Sequence, residues 1–171
     1  MATEDKPRDG LQLLAQDHRE AEKLFADFEK ASGAAAKERI VRQLCMELKI
    51  HTMIEEEIYY PEIRGKVEED ALDEAYVEHD SAKLLVNELE AAEPDEEFYK
   101  AKVKVLQELI EHHVKEEEKQ RDNLFQQTRA ADVDLEALVE RLAARKAELM
   151  AQAKAGGLPP AEPAALEHTA T

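Results

Sequence analysis

Apolar residues recur at the spacing of an amphipathic helix in five stretches of this chain, and that pattern restricts the fold more than any other feature. Only 5 of the 171 residues are glycine, and residues that favour strands are few, so we predict an all-α protein. We expect the second helix to end or kink at Pro61 and the fourth to begin near Asp95. The predicted helices cover about residues 9–31, 35–60, 69–92, 95–128 and 132–154.

Four of these predicted helices are long and are joined by short breaks. Consecutive helices joined in this way run antiparallel, so we expect an up-down-up-down four-helix bundle over residues 1–130. An additional C-terminal helix over residues 131–155 has a short apolar stripe. With that stripe it can cap the bundle, pack along its side or pair with a second subunit in a homo-oligomer. Residues 156–171 are predicted to form a disordered tail.

The chain is strongly acidic, with 40 acidic against 23 basic residues and a formal net charge of −17. Such a surface repels phosphate backbones and anionic lipid head groups, so neither a nucleic acid nor a membrane is an expected partner. The N-terminus lacks the apolar run of a signal peptide, and no segment approaches the roughly 20 apolar residues of a membrane span. The single cysteine, Cys45, excludes an internal disulfide and is expected to fill the core. These features predict a cytoplasmic protein.

One histidine lies on the apolar side of each predicted bundle helix. Successive residues rotate by about 100° around a helix, which places His51 and Glu55 in the middle of an aliphatic stripe on the second helix. By the same phasing, His18 shares the side of the first helix that carries leucines and Phe25, and His79 lies among apolar residues of the third. A solvated polar residue would not occupy these positions, so we expect these side chains to face the interior.

The fourth helix offers two adjacent histidines, and its phasing separates them. Its apolar residues average closest to His113, with Glu117 one turn further on. His112 lies about 100° away, toward the edge of the stripe. We therefore assign His113 to the interior and expect His112 to support the site or to face solvent. The sixth histidine, His168, belongs to the predicted tail and is set aside.

Buried polar side chains of this kind need a shared partner. Burying an unpartnered polar group costs roughly 1–3 kcal/mol, and an unpaired carboxylate costs far more. A metal ion satisfies all of them at once. Four imidazoles and two carboxylates exceed what one tetrahedral zinc accepts, and they suit two octahedral ions such as iron or manganese. The predicted metal ligands are His18, His51, Glu55, His79, His113 and Glu117.

Two octahedral ions would have about twelve coordination positions between them. If both carboxylates bridge, the protein fills about eight of these positions. Room is then left for an oxo or hydroxo bridge and for a small diatomic or peroxide ligand such as O2, NO or hydrogen peroxide. The residues therefore predict a pair of metal ions such as iron or manganese, with zinc as a substitute.

A ferritin-like centre would use Glu-x-x-His motifs, and the chain has none in its helices. The residues three positions before the helical histidines are Ala15, Leu48, Tyr76, Leu109 and Ile110, none of which is acidic. The ferritin-like pattern is therefore absent.

Four sequence blocks resemble the hemerythrin HHE cation-binding family in their order and spacing. The blocks are QDHREAEKLF around His18, HTMIEEEIYYPEI from His51, VEHDSAKLL around His79 and ELIEHHVKEEE around His113. The resemblance covers about residues 10–128. It implies a non-haem di-iron centre inside a four-helix bundle, with the four histidines as terminal ligands and with Glu55 and Glu117 as bridges.

Two positions depart from the oxygen-carrying hemerythrins that the chain resembles. Those proteins have a further histidine where this chain has Lys83, and their last carboxylate is an aspartate five residues after its histidine. Here Glu117 follows His113 by four residues and Glu118 by five. Water, Tyr59 or a carboxylate would replace the missing histidine. The departures favour sensing, redox chemistry or iron handling over reversible O2 transport.

Three functions remain open. The leading one is a di-iron module that binds or senses O2, NO or peroxide, or that buffers iron. The alternative is a di-iron enzyme that decomposes peroxide. The sequence shows no set of residues for a separate substrate pocket, since Tyr59, Tyr60 and Tyr76 are equally ordinary core or interface aromatics. A remote alternative is a metal-free helical scaffold that acts through its fifth helix.

Overall fold

The computed structural model describes residues 6–166, and within them the chain forms helices and loops but no strand. His168 lies outside the described residues. The helices are α1 (Gly10–Lys30), α2 (Ala34–Ile54), α3 (Tyr60–Ile63), α4 (Glu69–Ala91), α5 (Tyr99–Val114), α6 (Leu124–Ala130) and α7 (Leu135–Gly156), with π-helical turns at Glu55–Tyr59 and Lys115–Lys119. None of these helices has the length and apolarity needed to cross a membrane.

Four long helices form the bundle, which confirms the expected fold class. α1 packs against α2, α2 against α4 and α4 against α5, while α5 returns to α1, so consecutive long helices are neighbours around one interior. That interior contains two apolar clusters. One includes Phe25 and Leu44, and the other includes Leu14 and Ile54. The inward-facing histidines lie in the layer between the two clusters.

Each π-helical turn contains one of the predicted ligand glutamates, Glu55 or Glu117. The wider turn re-aims the side chains that follow it, and such turns are frequent at functional sites. The sequence predicted that Pro61 would end or kink the second helix, and in the structure the chain stays helical through Pro61 and leaves the helix after Ile63. Pro61 has no N–H to donate within this continuous helix, which ends two residues later at Ile63.

The fourth predicted helix, residues 95–128, is shorter than expected and is interrupted. It begins at Tyr99 rather than near Asp95, and Phe98 before it has a left-handed backbone with a φ of 70°. After the second π-helical turn the chain leaves the helix. α6 then starts at a new N-cap, Asn123, whose side chain accepts a backbone hydrogen bond of 2.9 Å.

The fifth predicted helix, α7, packs along the side of the bundle against α1 and α2. Leu138, Leu142 and Leu149 of its apolar stripe are buried. Of the three arrangements that the sequence left open, the structure therefore has the side-packed one. A homo-oligomer stays a prediction, and these buried leucines are not available to it.

The C-terminal segment, residues 157–166, lies against α4 and α2. Asp80 of α4 is fully buried and accepts hydrogen bonds of 2.7 Å from the backbone N–H groups of residues 164–166. Asn87 exchanges two hydrogen bonds of 2.8 Å with the backbone of Ala161. The sequence predicted a disordered tail here, and the structure differs because this backbone satisfies polar side chains of α4. The rest of that predicted tail lies outside the described residues.

Cys45 is fully buried, and its thiol lies 3.9 Å from the carbonyl oxygen of Val86. Burial raises the pKa of the thiol to about 12, so it stays protonated at neutral pH. The side chain therefore fills the core, as expected from the sequence, and is not a reactive thiol.

Gly10 begins α1 and lets α7 approach closely. A β-carbon at this position would lie 2.7 Å from the Cγ and Cδ2 atoms of Leu138, which is too close without a shift of one helix. Alanine in a helix is normally more stable than glycine by roughly 0.5–1 kcal/mol. We nevertheless expect Gly10→Ala to lower the free energy of unfolding by about 1–3 kcal/mol, as overpacking does.

Urea unfolding at matched metal content measures this effect. Gly156→Ala is the control, because Gly156 is the last residue of α7 and a β-carbon there meets nothing within 4 Å. An increase in stability for Gly10→Ala would contradict the close contact with Leu138.

Candidate metal centre

The six residues that the sequence nominated converge at the middle of the bundle, and all six are buried. Their ligand atoms form two groups, and within each group the atoms lie within 4.8 Å of one another. The first group is His18, His51, Glu55 and Glu117, and the second is Glu55, His79 and His113. Glu55 belongs to both groups, so it lies where a bridging ligand would lie.

The first group is built on α1, α2 and the two π-helical turns. The Nε2 atoms of His18 and His51 are 3.2 Å apart. The His18 Nε2 atom is also 3.2 Å from Oε2 of Glu117, and the His51 Nε2 atom is 3.2 Å from Oε1 of Glu55. Two ligands that bind one ion at about 2.1 Å and at a right angle are about 3.0 Å apart, so these spacings suit a shared ion.

The second group lies on the α4 and α5 side of the same interior. The Nε2 atoms of His79 and His113 are 3.3 Å apart, and the His79 Nε2 atom is 3.1 Å from Oε2 of Glu55. Glu117 Oε2 completes this side at 3.5 Å from the His113 Nε2 atom. Each glutamate thus faces histidines of both groups.

The outer nitrogen of each histidine faces a carboxylate on a neighbouring helix. The Nδ1 contacts are His18 with Glu118 at 2.9 Å, His51 with Asp17 at 3.3 Å, His79 with Glu56 at 2.9 Å and His113 with Glu78 at 2.8 Å. Because an ionised carboxylate only accepts hydrogen bonds, each Nδ1 carries the proton and donates it. A ring that carries only this one proton directs its Nε2 lone pair at the centre, as metal-binding histidines require.

Sequence reasoning missed these four supporting carboxylates. A signal was present, because each one is adjacent in sequence to a nominated ligand. Asp17 precedes His18, for example, but it supports His51 on the next helix. Adjacency marks such residues as candidates, and only the packing of the helices shows which histidine each one holds.

The centre has an internal two-fold repeat. An acidic residue followed by histidine occurs at 17–18 and at 78–79, and a His-x-x-x-Glu-Glu motif occurs at 51–56 and at 113–118. Each His-x-x-x-Glu-Glu motif ends within a π-helical turn. The two halves of the bundle therefore contribute matching sets of candidate ligands and supporting carboxylates.

The buried oxygens test whether a metal fits. Within residues 6–166, two buried side-chain atoms have no hydrogen-bond partner, namely Oε1 of Glu55 and Oε2 of Glu117. Leaving buried carboxylate oxygens unsatisfied is costly. Paired Nε2 lone pairs that face each other repel unless a cation lies between them. Both defects are removed if cations occupy the centre, so the residues present fit a metal.

The charges of the site already favour ionised carboxylates. Burial alone would lower the pKa of His51, but Glu55 and Asp17 outweigh it and raise that pKa to about 10. Burial likewise opposes a charge on His113, and Glu117 and Glu78 raise its pKa well above the usual value. The same attraction lowers the pKa of Glu55 and of Glu117 despite their burial. In the absence of metal, protons on these histidines take the place of the cations.

Lys83, which stands in place of a further histidine, does not reach the centre. Its ammonium lies 2.8 Å from Oε2 of Glu56 and 3.2 Å from Oδ1 of Asp80. Glu56 in turn holds the Nδ1 atom of His79. Lys83 therefore links the supporting carboxylate of His79 to the buried aspartate on which the C-terminal segment docks.

A tyrosine hydroxyl occupies the space beside the second group, and it belongs to Tyr60 rather than to Tyr59. The Tyr60 hydroxyl donates to Oε2 of Glu55 at 3.2 Å and lies 3.1 Å from the His79 Nε2 atom. The Tyr59 hydroxyl instead pairs with Thr128 at 2.9 Å, away from the ligands. The sequence analysis offered Tyr59 as one replacement for the missing histidine. The tyrosine that lies beside the second group is instead the next residue, Tyr60.

The two adjacent histidines of α5 differ in burial as the helical phasing predicted. His113 is buried, whereas the His112 side chain is 59% exposed and contacts Glu78 and Glu116. His112 therefore lies outside the centre, next to one of its supporting carboxylates.

Fold and site together define a class: a helical bundle whose interior presents four histidines and two carboxylates to cations. The sequence profile of the Hemerythrin HHE cation binding domain family matches residues 9–121, more than half of the chain and a span that includes all six residues. The chain belongs to this family, and the resemblance found in the sequence is confirmed.

Two known proteins are similar to this chain. A DNA nickase from Nostoc sp. is 26% identical over 106 residues, which are 62% of this chain but only 30% of the nickase. A hemerythrin HHE cation binding domain-containing protein from Mycobacterium kansasii has a similar crystal structure, with a TM-score of 0.71 at 22% identity. That likeness covers 88% of this chain and 94% of the other, and it supports the shared fold.

Proposed function

We propose that this protein holds a carboxylate-bridged pair of iron ions and uses it to bind or sense O2, NO or peroxide, or to buffer iron. The proposed ligands are His18, His51, His79 and His113 at the ends, with Glu55 and Glu117 as bridges. The observation that carries the proposal is the position of Glu55, which has one oxygen 3.2 Å from His51 and the other 3.1 Å from His79. One carboxylate shared in this way supports two ions rather than one.

The donor set supports iron. Imidazole and carboxylate together suit iron and manganese in octahedral coordination, whereas structural zinc favours four ligands with thiolates. Four nitrogens and four carboxylate oxygens leave about four of some twelve positions for other ligands. Iron bound in this way supplies Lewis acidity and a change of oxidation state.

A small cavity supports a small ligand. Its volume is about 20 Å³, and it is lined by histidines of both groups together with apolar residues such as Leu48, Ile110 and Val114. That volume is about one water molecule. A molecule of the size of O2, NO or peroxide matches this space, whereas a larger organic substrate does not.

Metal analysis and absorption spectroscopy test the proposal. Protein produced with adequate iron is expected to contain about two iron ions per chain and to show a ligand-to-metal absorption band when oxidised. Addition of NO or peroxide should change that band, and the chelator-treated protein is the control without it. Less than about one iron per chain, with no other metal in its place, would exclude the di-iron function.

A peroxide-decomposing enzyme is the second candidate, and Tyr60 is the observation that favours it. A hydroxyl within 3.2 Å of Glu55 can donate a proton to a ligand bound beside the second group. Disproportionation converts two molecules of hydrogen peroxide into two of water and one of O2, so it requires no other reactant. Oxygen evolution that is lost in His113→Ala would support the enzyme, and an absence of turnover in the iron-loaded protein would exclude it.

DNA nicking forms no part of this proposal. The matched region is 30% of the nickase, and the net charge of −17 on this chain opposes the approach of a phosphate backbone.

A further inference from the structure

We propose that Glu78, His112 and Glu116 form an outer site for a divalent cation, at the mouth of an acidic channel that delivers metal to the centre. This inference rests on the proposed function, because it concerns how ions reach the centre. None of the three residues belongs to the six proposed ligands.

The channel is a cavity of about 200 Å³ that opens at the surface and reaches inward to His113 and Glu117. Residues of α4, of the second π-helical turn and of the loop before α6 line it. Its lining includes seven carboxylates and no lysine or arginine. A cleft lined by one sign of charge concentrates ions of the opposite sign, so this cavity attracts cations.

Glu78 and Glu116, which line this cavity, and the neighbouring exposed His112 are spaced as metal ligands. The His112 Nε2 atom lies 3.2 Å from Oε1 of Glu78 and 3.4 Å from Oε1 of Glu116. One imidazole and two carboxylates form a donor set for Fe²⁺, Mn²⁺ or Zn²⁺. Water can reach all three residues, so a hydrated ion can bind there and leave again.

The inner end of the cavity is formed by Glu117, one of the six proposed ligands. This side chain is 1% exposed, and its Oε2 atom has no hydrogen-bond donor within residues 6–166. A buried acceptor of this kind attracts a cation from the channel. Glu78 connects the two ends, since its Oε1 atom contacts His112 while its Oε2 atom holds the Nδ1 atom of His113 at 2.8 Å.

The supporting carboxylates around the centre show that this side is exceptional. Asp17 pairs with Lys146, Glu56 with Lys83 and Glu118 with Arg19, so three of the four contact a cationic side chain. Among the described residues, the contacts of Glu78 are with His112, His113 and Glu116 and include no lysine or arginine. A lysine or arginine side chain thus balances the negative charge of three supporting carboxylates. The negative charge of the fourth, Glu78, is available to a metal cation.

Anaerobic loading of the metal-free full-length protein with Fe²⁺ tests the inference, with the rate followed by stopped-flow absorption. We expect the double variant His112→Ala, Glu116→Gln to load about tenfold more slowly than the unmodified protein, the low end of the effect of electrostatic focusing. The final iron content should be the same in both. Glu108→Gln is the matched control, because it removes one negative charge from an exposed part of α5 outside the channel.

The outcomes separate this inference from the proposed function. Slow loading of the double variant to full iron content, with normal loading of Glu108→Gln, supports the outer site. Loading of the double variant at the normal rate overturns it, as does a lower final content, because the residues would then stabilise the centre itself. If the unmodified protein binds no iron, the proposed function fails first, whatever the variants do.

Discussion

Glu55→Ala is expected to lose both metal ions, whereas His51→Ala is expected to keep one. The reason is that the two oxygens of Glu55 face different groups of ligands, while His51 faces only the first. Changing a residue that merely supports a ligand costs roughly 10–100-fold in metal affinity, so removing a ligand shared by two ions should cost at least about 100-fold for each. Equilibrium dialysis against Fe²⁺ or Mn²⁺ gives the number of ions per chain.

Glu57→Ala is the control for this variant. Glu57 lies in the same π-helical turn, but it is exposed and pairs with Arg145 rather than with the centre. Circular dichroism must show that each variant is folded, and Glu55→Gln provides a version with nearly the same shape. Retention of two ions by folded Glu55→Ala would contradict the bridging role.

Metal affinity is expected to rise steeply with pH, by up to about 100-fold per pH unit between neutrality and pH 10 if two protons are displaced. The pKa of His51 is raised to about 10 and that of His113 is raised well above the usual value, so both rings carry an extra proton in the metal-free protein. A metal binds only the neutral ring. Glu55 and Glu117, whose pKa values are lowered, are already ionised and release none.

The same pKa shifts predict that the stability of the metal-free protein changes with pH in the opposite direction to its metal affinity. A histidine whose pKa is raised on folding stabilises the protein fully below its unfolded pKa, about 6.5. For His51 that stabilisation is lost as the pH rises through about 10. Metal-free protein should therefore become less stable over the range in which metal binding becomes stronger.

Calorimetric titration with metal in buffers of different ionisation enthalpy measures the protons released. About two protons per chain are expected near pH 7.5, and His51→Ala should release about one fewer. Binding without proton release would contradict the protonated histidines.

The sequence was sufficient to predict the all-α fold class, the order of the long helices and the inward position of six polar residues. All of these depend on the 3.6-residue repeat, which relates residues of one helix to one another. Phasing was sufficient to separate His113 from His112, since adjacent residues differ by about 100° around the helix. It could not place the π-helical turns at Glu55–Tyr59 and Lys115–Lys119, because their extra residue changes the repeat itself.

Contacts between helices were decided only by the tertiary structure. Asp17 is adjacent to His18 in the chain but supports His51, and that pairing depends on how α1 and α2 are rotated and staggered. The contacts of Lys83 could likewise not be predicted from the sequence. Its ammonium binds Glu56 and Asp80, and the contact with Glu56 forms only when α4 packs against the first π-helical turn.

By itself, then, the sequence determined a four-helix bundle with six inward-facing histidine and glutamate side chains, because a periodic pattern along each helix is enough to choose its buried face. The tertiary structure decided which carboxylate supports each histidine, that Tyr60 rather than Tyr59 lies beside Glu55 and His79, and that Glu78 contacts His112 rather than a lysine or arginine among the described residues. These features depend on the relative positions of side chains from different helices. Local periodicity does not encode those positions.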